Sequence, residues 1–335
     1  DPLHALLVIA DSTVTVRFEG ESLLCTLQNH YYWNDIYLGV KIDHQPLKKL
    51  YLNPDGRERT YTLAENLKYG PHTVQLIKLQ DSPHYLTICS FSLSEEGAHL
   101  LPKEAPKARH MEFFGDSVTV GCITDAFGYE GKVDPPNQGE YCNAYNSYAM
   151  QTARRLNAQA HLTAQGGVAL LSGTGWFGEP HDTMGMEEMY DKQRYVAELG
   201  DLTPWDFSRY TPQVVVVAIG QNDQHVHGGP DNDPGADAAF RQKWEEHYER
   251  FIRRLMELYP KAAIVCATTI LRHDAVWDDM IDAVVRRIAS PKASHFLYSN
   301  NGCGTDGHIR ASEGFHMAEE LSAYIEGLGE GIWND

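Results

Sequence analysis

The chain is 335 residues long, 42% hydrophobic and 22% charged, with a formal charge of -18. Such a composition suits a folded globular chain of two domains without repeats or long biased segments. It excludes nucleic acid as a partner, because phosphate binding calls for clustered Lys and Arg, and it excludes a membrane span, because no run approaches the roughly 20 apolar residues needed. Asp1-Pro2-Leu3 opens the sequence with no basic, apolar leader. The six cysteines lack metal-type spacing and sit mostly in apolar runs, so reduced thiols are expected, with a Cys122–Cys142 pair as an alternative that the sequence does not decide. These two features lean towards a cytoplasmic protein, with a secreted one that has lost its leader as the alternative.

In chain order, short runs of β-formers come first: Val14 to Phe18, Ser22 to Leu27, Ile36 to Ile42, His72 to Lys78 and Tyr85 to Phe91. Turn signals such as Asn53-Pro54-Asp55-Gly56 separate them, which predicts an all-β sandwich. Leu101-Pro102-Lys103-Glu104-Ala105-Pro106-Lys107 is polar and proline-bearing, so the domains are placed at 1–105 and 106–335. Beyond it, apolar strands are predicted at Met111 to Phe114, Val214 to Ile219, Ala263 to Thr268 and Phe296 to Tyr298. Helical periods run from Ala144 to Leu156, Ala236 to Leu258, Ala275 to Ile288 and Ser312 to Leu328. Alternation of the two is the grammar of an α/β domain with a doubly wound parallel sheet.

Ligands gather at the carboxyl ends of such strands, which directs attention to four loops. Gly115-Asp116-Ser117 places a serine hydroxyl beside the free N–H groups of a helix start. Gln165-Gly166-Gly167-Val168 offers a glycine N–H that a substrate oxygen is able to approach, and Gly220-Gln221-Asn222-Asp223 offers an amide donor. Thr305-Asp306-Gly307-His308 supplies an imidazole and a nearby carboxylate, suited to accepting the serine proton. Each signal alone has a bland reading as a cap or a turn; their joint order is what points to chemistry.

That order resembles the SGNH (GDSL-type) hydrolases, with Ser117, a glycine of the Gly166-Gly167 pair, Asn222 and His308 standing for the four blocks. The leading β-sandwich, the proline-bearing crossing and Trp205-Asp206-Phe207 further resemble carbohydrate esterase family 2, over nearly the whole chain. The resemblance implies a jelly-roll domain before a three-layer, flavodoxin-like SGNH domain and a serine esterase that removes acetyl groups from xylan or other sugars. Ser117 would be the nucleophile and His308 the base. The N–H groups of Ser117 and Gly167, favoured over Gly166, would meet the oxyanion with the Asn222 amide. Asp306-Gly307-His308 is one residue tighter than the superfamily's Asp-x-x-His-Pro and lacks the proline. Its spacing is similar to that of family 2, in which some members hold the imidazole by a backbone carbonyl, and Asp306 is the expected third member.

No metal or other cofactor is required by this chemistry. His225-Val226-His227 suggests a metal ligand pair, but residues two apart point to opposite faces of a strand, and no third ligand has recognisable spacing. Trp176, Trp205 and Tyr129 are candidates for a sugar platform, Trp176 foremost because Gly173, Gly175 and Gly178 surround it. The expected partner is an acetylated oligosaccharide or polysaccharide, and the exposed aromatics are compatible with a homo-oligomer. The competing readings are an inactive sugar-binding module and an esterase, lipase or thioesterase acting on a non-carbohydrate acyl ester. The complete set of four blocks weighs against the first, and the lack of an apolar lid-like insertion against the second.

Overall fold

A computed structural model describes residues 4–136 and 138–334. The first nine strands are β1 (Ala5–Leu7), β2 (Thr13–Gly20), β3 (Leu23–Tyr31), β4 (Ile36–Ile42), β5 (Lys48–Leu52), β6 (Glu58–Ala64), β7 (Gly70–Lys78), β8 (His84–Ser92) and β9 (His99–Leu100). They pair antiparallel into two sheets, ordered β1-β8-β3-β6 and β5-β4-β7-β2-β9. Strand β3 shows why they close on each other: Leu23, Cys25 and Leu27 alternate inward, meeting Phe18, Leu38, Val74 and Leu76 in one dry core. Four of the five expected strand runs fall within strands, and the fifth, Ser22 to Leu27, begins one residue ahead of β3. Strands β1, β5, β6 and β9 lie outside those runs, and all four are sheet edges, where polar residues face water.

The chain then enters β10 (Arg109–Gly115), α1 (Ser117–Val120), α2 (Tyr148–Arg155) and β11 (Ala158–Ala164). After a long excursion holding α3 (Met186–Met189), β12 (Lys192–Arg194) and β13 (Thr203–Pro204), it continues through β14 (Val214–Ala218), α4 (Ala238–Leu258), β15 (Ala263–Ala267), α5 (Val276–Ile288), β16 (Ala293–His295) and α6 (Ala311–Gly327). Five strands form one parallel sheet in the order β11-β10-β14-β15-β16. In β14, Val215 and Val217 face a core with α4 and α5, while Val214, Val216 and Ala218 face one with α2 and α6. Burial on both faces is what the unbroken valine run requires. The order reverses between β10 and β14, and that switch point opens a crevice at their carboxyl ends.

Two departures from expectation have local causes. Strand β11 reads Ala-Gln-Ala-His-Leu-Thr-Ala, without a branched apolar run, because it is the sheet edge. The last strand ends at His295; Phe296 and Tyr298 instead stack edge-to-face at 4.8 Å, and Phe296 also lies against Tyr324 of α6. All six cysteines are unpaired, with Cys142 beside Cys122 and burial together pushing the Cys122 thiol well up. Among the described residues no helix is long and apolar enough to cross a membrane.

The sandwich and the α/β domain share a core. Val8 and Tyr85 are buried with Phe114, Val168 and Tyr195, and the Tyr85 hydroxyl accepts from the Tyr195 and Val196 N–H groups at 3.1 and 3.0 Å. Ala144 N–H donates to the Leu79 carbonyl at 3.0 Å. A chain starting at Arg109 would uncover these apolar side chains and leave the donors unpaired. It is expected to be poorly folded and to hydrolyse p-nitrophenyl acetate at no more than a small fraction of the full chain's rate. Circular dichroism and initial rates check this, and a well-folded, fully active fragment would contradict it.

Candidate active site

Strand β10 delivers its last residues to the crevice, and the chain turns at once into α1. Asp116 caps that helix, accepting from the Val118 N–H at 3.0 Å, and this places Ser117 at the first helical position. The Ser117 N–H therefore has no partner inside its helix. Ser117 is 7% exposed, at the carboxyl end of β10.

Strand β14 delivers the second group. Gln221 and Asn222 lie in a single 3₁₀ turn, and both amides reach Asp116 Oδ2, at 2.5 and 3.4 Å. Asn222 Nδ2 also donates to the Val168 carbonyl at 3.0 Å. The amide is thus fixed between the two neighbouring loops. Burial pushes the Asp116 carboxyl up to about 6, against the Val118 N–H and the positive charge of His308, which lower it.

The glycine pair is resolved by its partners. Gly166 N–H donates to Asp81 Oδ2 of the sandwich domain at 2.6 Å, whereas no acceptor for the Gly167 N–H is found among the described residues. Gly167 has φ +78°, and a Cβ there would lie 2.8 Å from Cβ of Trp176, so only glycine fits. Asp223 ties the same loop to the Asn222 turn, accepting from Leu170 N–H at 2.8 Å, Leu171 N–H at 2.9 Å and Thr174 Oγ1 at 2.9 Å.

His308 is where the structure corrects the expected site. Its Nδ1 lies 2.7 Å from Asp134 Oδ2, and its backbone N–H donates to Asp134 Oδ1 at 3.1 Å. Asp306 is 59% exposed and pairs with Arg272 at 3.0 Å, pointing away from the imidazole. The physical reason lies in the turn between them. Gly307 has φ +85°, and a Cβ on it would sit 2.7 Å from the Asp134 carboxyl, so the absent side chain is the space that Asp134 fills. Buried Arg310 closes the arrangement, donating to Asp134 Oδ1 at 3.1 Å and to the His308 carbonyl. Burial works against a charge on Asp134, but the hydrogen bonds and charge of His308 and the hydrogen bond of Arg310 prevail and hold it below the usual carboxylate range. With Nδ1–H given to Asp134, neutral His308 keeps its lone pair on Nε2.

The aromatic candidates part company. Trp176 is 54% exposed, its backbone N–H on the Gly167 carbonyl at 2.8 Å and its ring stacked on His225 at 3.4 Å. Tyr129 lies on the loop that carries Asp134, and that loop touches the His308 loop through Gly131 N–H and Thr305 Oγ1 at 3.2 Å. Trp205 is not brought to the site: its ring packs on His161, midway along β11, and on Arg209. Asp134 and Asp81 are the two groups missing from the sequence reading. They stand 174 and 85 positions from the groups they hold, and no local spacing links them.

Known proteins resemble this chain over both of its domains. Residues 113–314 match the model of the GDSL-like Lipase/Acylhydrolase family, and residues 1–103 match the carbohydrate esterase 2 N-terminal domain. The chain belongs to the GDSL-like lipase/acylhydrolase family, and it is a carboxylic ester hydrolase. It is 29% identical to an acetylxylan esterase / glucomannan deacetylase of Cellvibrio japonicus, over 86% of this chain and 75% of that protein. It is 28% identical to the cellulase/esterase CelE of Acetivibrio thermocellus, over 79% of this chain and 29% of that much longer protein. Among solved structures, a family two carbohydrate esterase from Clostridium thermocellum in complex with cellohexaose superposes with a TM-score of 0.80 at 25% identity, covering 100% of this chain and 97% of that one.

The two carboxylates make opposite forecasts. Asp134→Asn removes the charge facing the imidazolium and is expected to lower kcat on an acetyl ester by about 10²- to 10⁴-fold with little change in KM. Asp306→Asn breaks only an exposed ion pair, and its kcat should stay within about threefold of the parent. The reverse ranking would return Asp306 to the site.

Proposed function

We propose that this chain is a serine esterase that removes O-acetyl groups from carbohydrate through an acetyl-enzyme on Ser117. The observation that supports the reading is that Asp116 and Asp223 tie together the loops of Ser117, Asn222 and Gly167, whose N–H is unengaged, while His308, its Nδ1 held by Asp134, lies near enough for its charge to act on Asp116. This is the donor and base set that acyl transfer needs.

In the first step His308 Nε2 takes the Ser117 proton as Oγ bonds to the acetyl carbonyl carbon, and the carbonyl π pair moves onto oxygen. The N–H groups of Ser117 and Gly167 meet that charge, joined by the Asn222 amide as it exchanges its long 3.4 Å contact with Asp116 for the oxyanion. Donors already fixed by Asp81, Asp116 and Asp223 need little reorganisation as it develops. Asp134 stays ionised and stabilises the imidazolium. Collapse of the intermediate breaks the bond to the sugar oxygen, which takes its proton from His308. Water then gives a proton to Nε2, attacks the acetyl-enzyme, and releases acetate with Ser117 restored.

Carbohydrate as the alcohol half rests on two supports. The relatives named above are described as acetylxylan esterase, glucomannan deacetylase and carbohydrate esterase. In addition, the half-exposed Trp176 has one ring face on His225, leaving the other for a sugar ring beside Gly167.

Ser117→Ala is expected to lower kcat on p-nitrophenyl acetate by about 10⁴-fold or more with the fold intact. The parent should turn over acetate at least about tenfold faster than octanoate, and release acetate from acetylated xylan or acetylated monosaccharides. Faster octanoate turnover with no acetate released from any acetylated sugar would refute the carbohydrate assignment.

A further inference from the structure

Outside the hydrolytic groups, one cluster has a chemistry the esterase reaction does not use. His225 and His227 do not lie on a strand, where residues two apart would diverge. They follow the 3₁₀ turn of Asn222 in a loop, and both rings turn towards Glu179 of the Trp176 loop. His225 Nε2 stands 3.0 Å from Glu179 Oε1, and His227 Nδ1 contacts the same oxygen. One donor atom from each of the three residues lies within 4.8 Å of the other two.

We propose that Glu179, His225 and His227 form a binding site for one divalent transition-metal ion, zinc by its ligand set. Two imidazole nitrogens and one carboxylate oxygen are a familiar zinc triad, and a tetrahedral ion with bonds near 2.0–2.1 Å sets its ligand atoms about 3.3 Å apart. The observed spacing needs only a small opening to admit the ion. The fourth position is left to water on the side where His227 is 48% exposed.

Three features beyond the cluster favour an ion over a carboxylate merely shared by two imidazoles. The ring of His225 is held for it: Trp176 stacks on it at 3.4 Å with an interplanar angle of 3°. Its carbonyl accepts from the Gly175 N–H at 3.0 Å, fixing the backbone as well. On the far side of the ring, Nδ1 faces Asp231 Oδ1 at 3.8 Å, too long for a hydrogen bond but placed to become the carboxylate–histidine–metal arrangement with a small side-chain movement. Charge agrees too. A dication on one carboxylate and two neutral imidazoles leaves one positive charge, which Asp231 offsets, in a chain of formal charge -18. The bound ion would cross-link the loop of Trp176 to the turn of Asn222 and stabilise the pair of loops.

The full-length chain, stripped of metal by chelation and dialysis, is titrated with zinc chloride by calorimetry, with cobalt(II) absorption reporting the coordination number. One zinc per chain, tetrahedral cobalt bands and a higher Tm with zinc are expected. E179Q and H227A should each weaken binding by about 100-fold, while H181A, on the same loop but outside the cluster, should bind like the parent. Their Tm values without metal verify folding, and His227, being exposed, serves if E179Q fails to fold. No saturable binding, or binding that survives both E179Q and H227A, would overturn the site. Neither result touches the esterase assignment, which is read from Ser117.

Discussion

Each part of the hydrolytic site is held by a carboxylate taken out of water and given N–H donors in exchange. Asp116 spans the Ser117 turn and the Asn222 turn, Asp223 spans the Asn222 turn and the glycine loop, and Asp81 holds that loop from below. Asp134 does the same for the His308 loop. Burial raises Asp116 and Asp223 to about 6, and among the groups that oppose it are the N–H groups of Val118 at Asp116 and of Leu170 and Leu171 at Asp223. Losing one such acceptor leaves an N–H unsatisfied in a dry setting, so the loops have little freedom to relax. That stiffness is what an oxyanion hole needs, because its donors must already point at charge that has not yet formed.

The same constraint explains the coupling of the two domains. The sandwich contributes Asp81 to the glycine loop, and Gln165 connects that carboxylate at 2.8 Å to the Tyr195 hydroxyl at 3.1 Å. Tyr195 in turn donates its N–H to Tyr85 of the sandwich. Lys78, fully buried and pushed down to about 7 by that burial, donates to the Gln80 and Asp81 carbonyls and braces the segment from beneath. The β domain is therefore part of the scaffold that positions Gly167.

Much of this was legible in the sequence, for identifiable reasons. Strands such as β14 announce themselves because burial on both faces demands an unbroken valine run, and the four site blocks fall at strand ends because the topology puts them there. Edge strands such as β11 escape, since one side of them answers to water. Ser117, Gly167, Asn222 and His308 were each marked by local sequence, whereas the carboxylate was not. Asp306 lies two residues from His308 but across a glycine turn that directs it outward, and Asp134 reaches the imidazole only through the fold. Trp205 and the His225–His227 pair teach the same lesson. Proximity along the chain says little about direction once the backbone leaves a regular element, so an expected sugar platform packs on His161 and an expected divergence became a convergence.

The central claim, acyl transfer through Ser117, is open to one direct measurement. The enzyme is mixed with p-nitrophenyl acetate, quenched in acid on the millisecond scale, digested, and read by mass spectrometry. The account predicts a transient acetyl group on the peptide carrying Ser117, absent from Ser117→Ala and longer-lived when Asp134 is replaced by Asn. An acetyl group on any other residue, or turnover with none detectable on Ser117 under burst conditions, would contradict it.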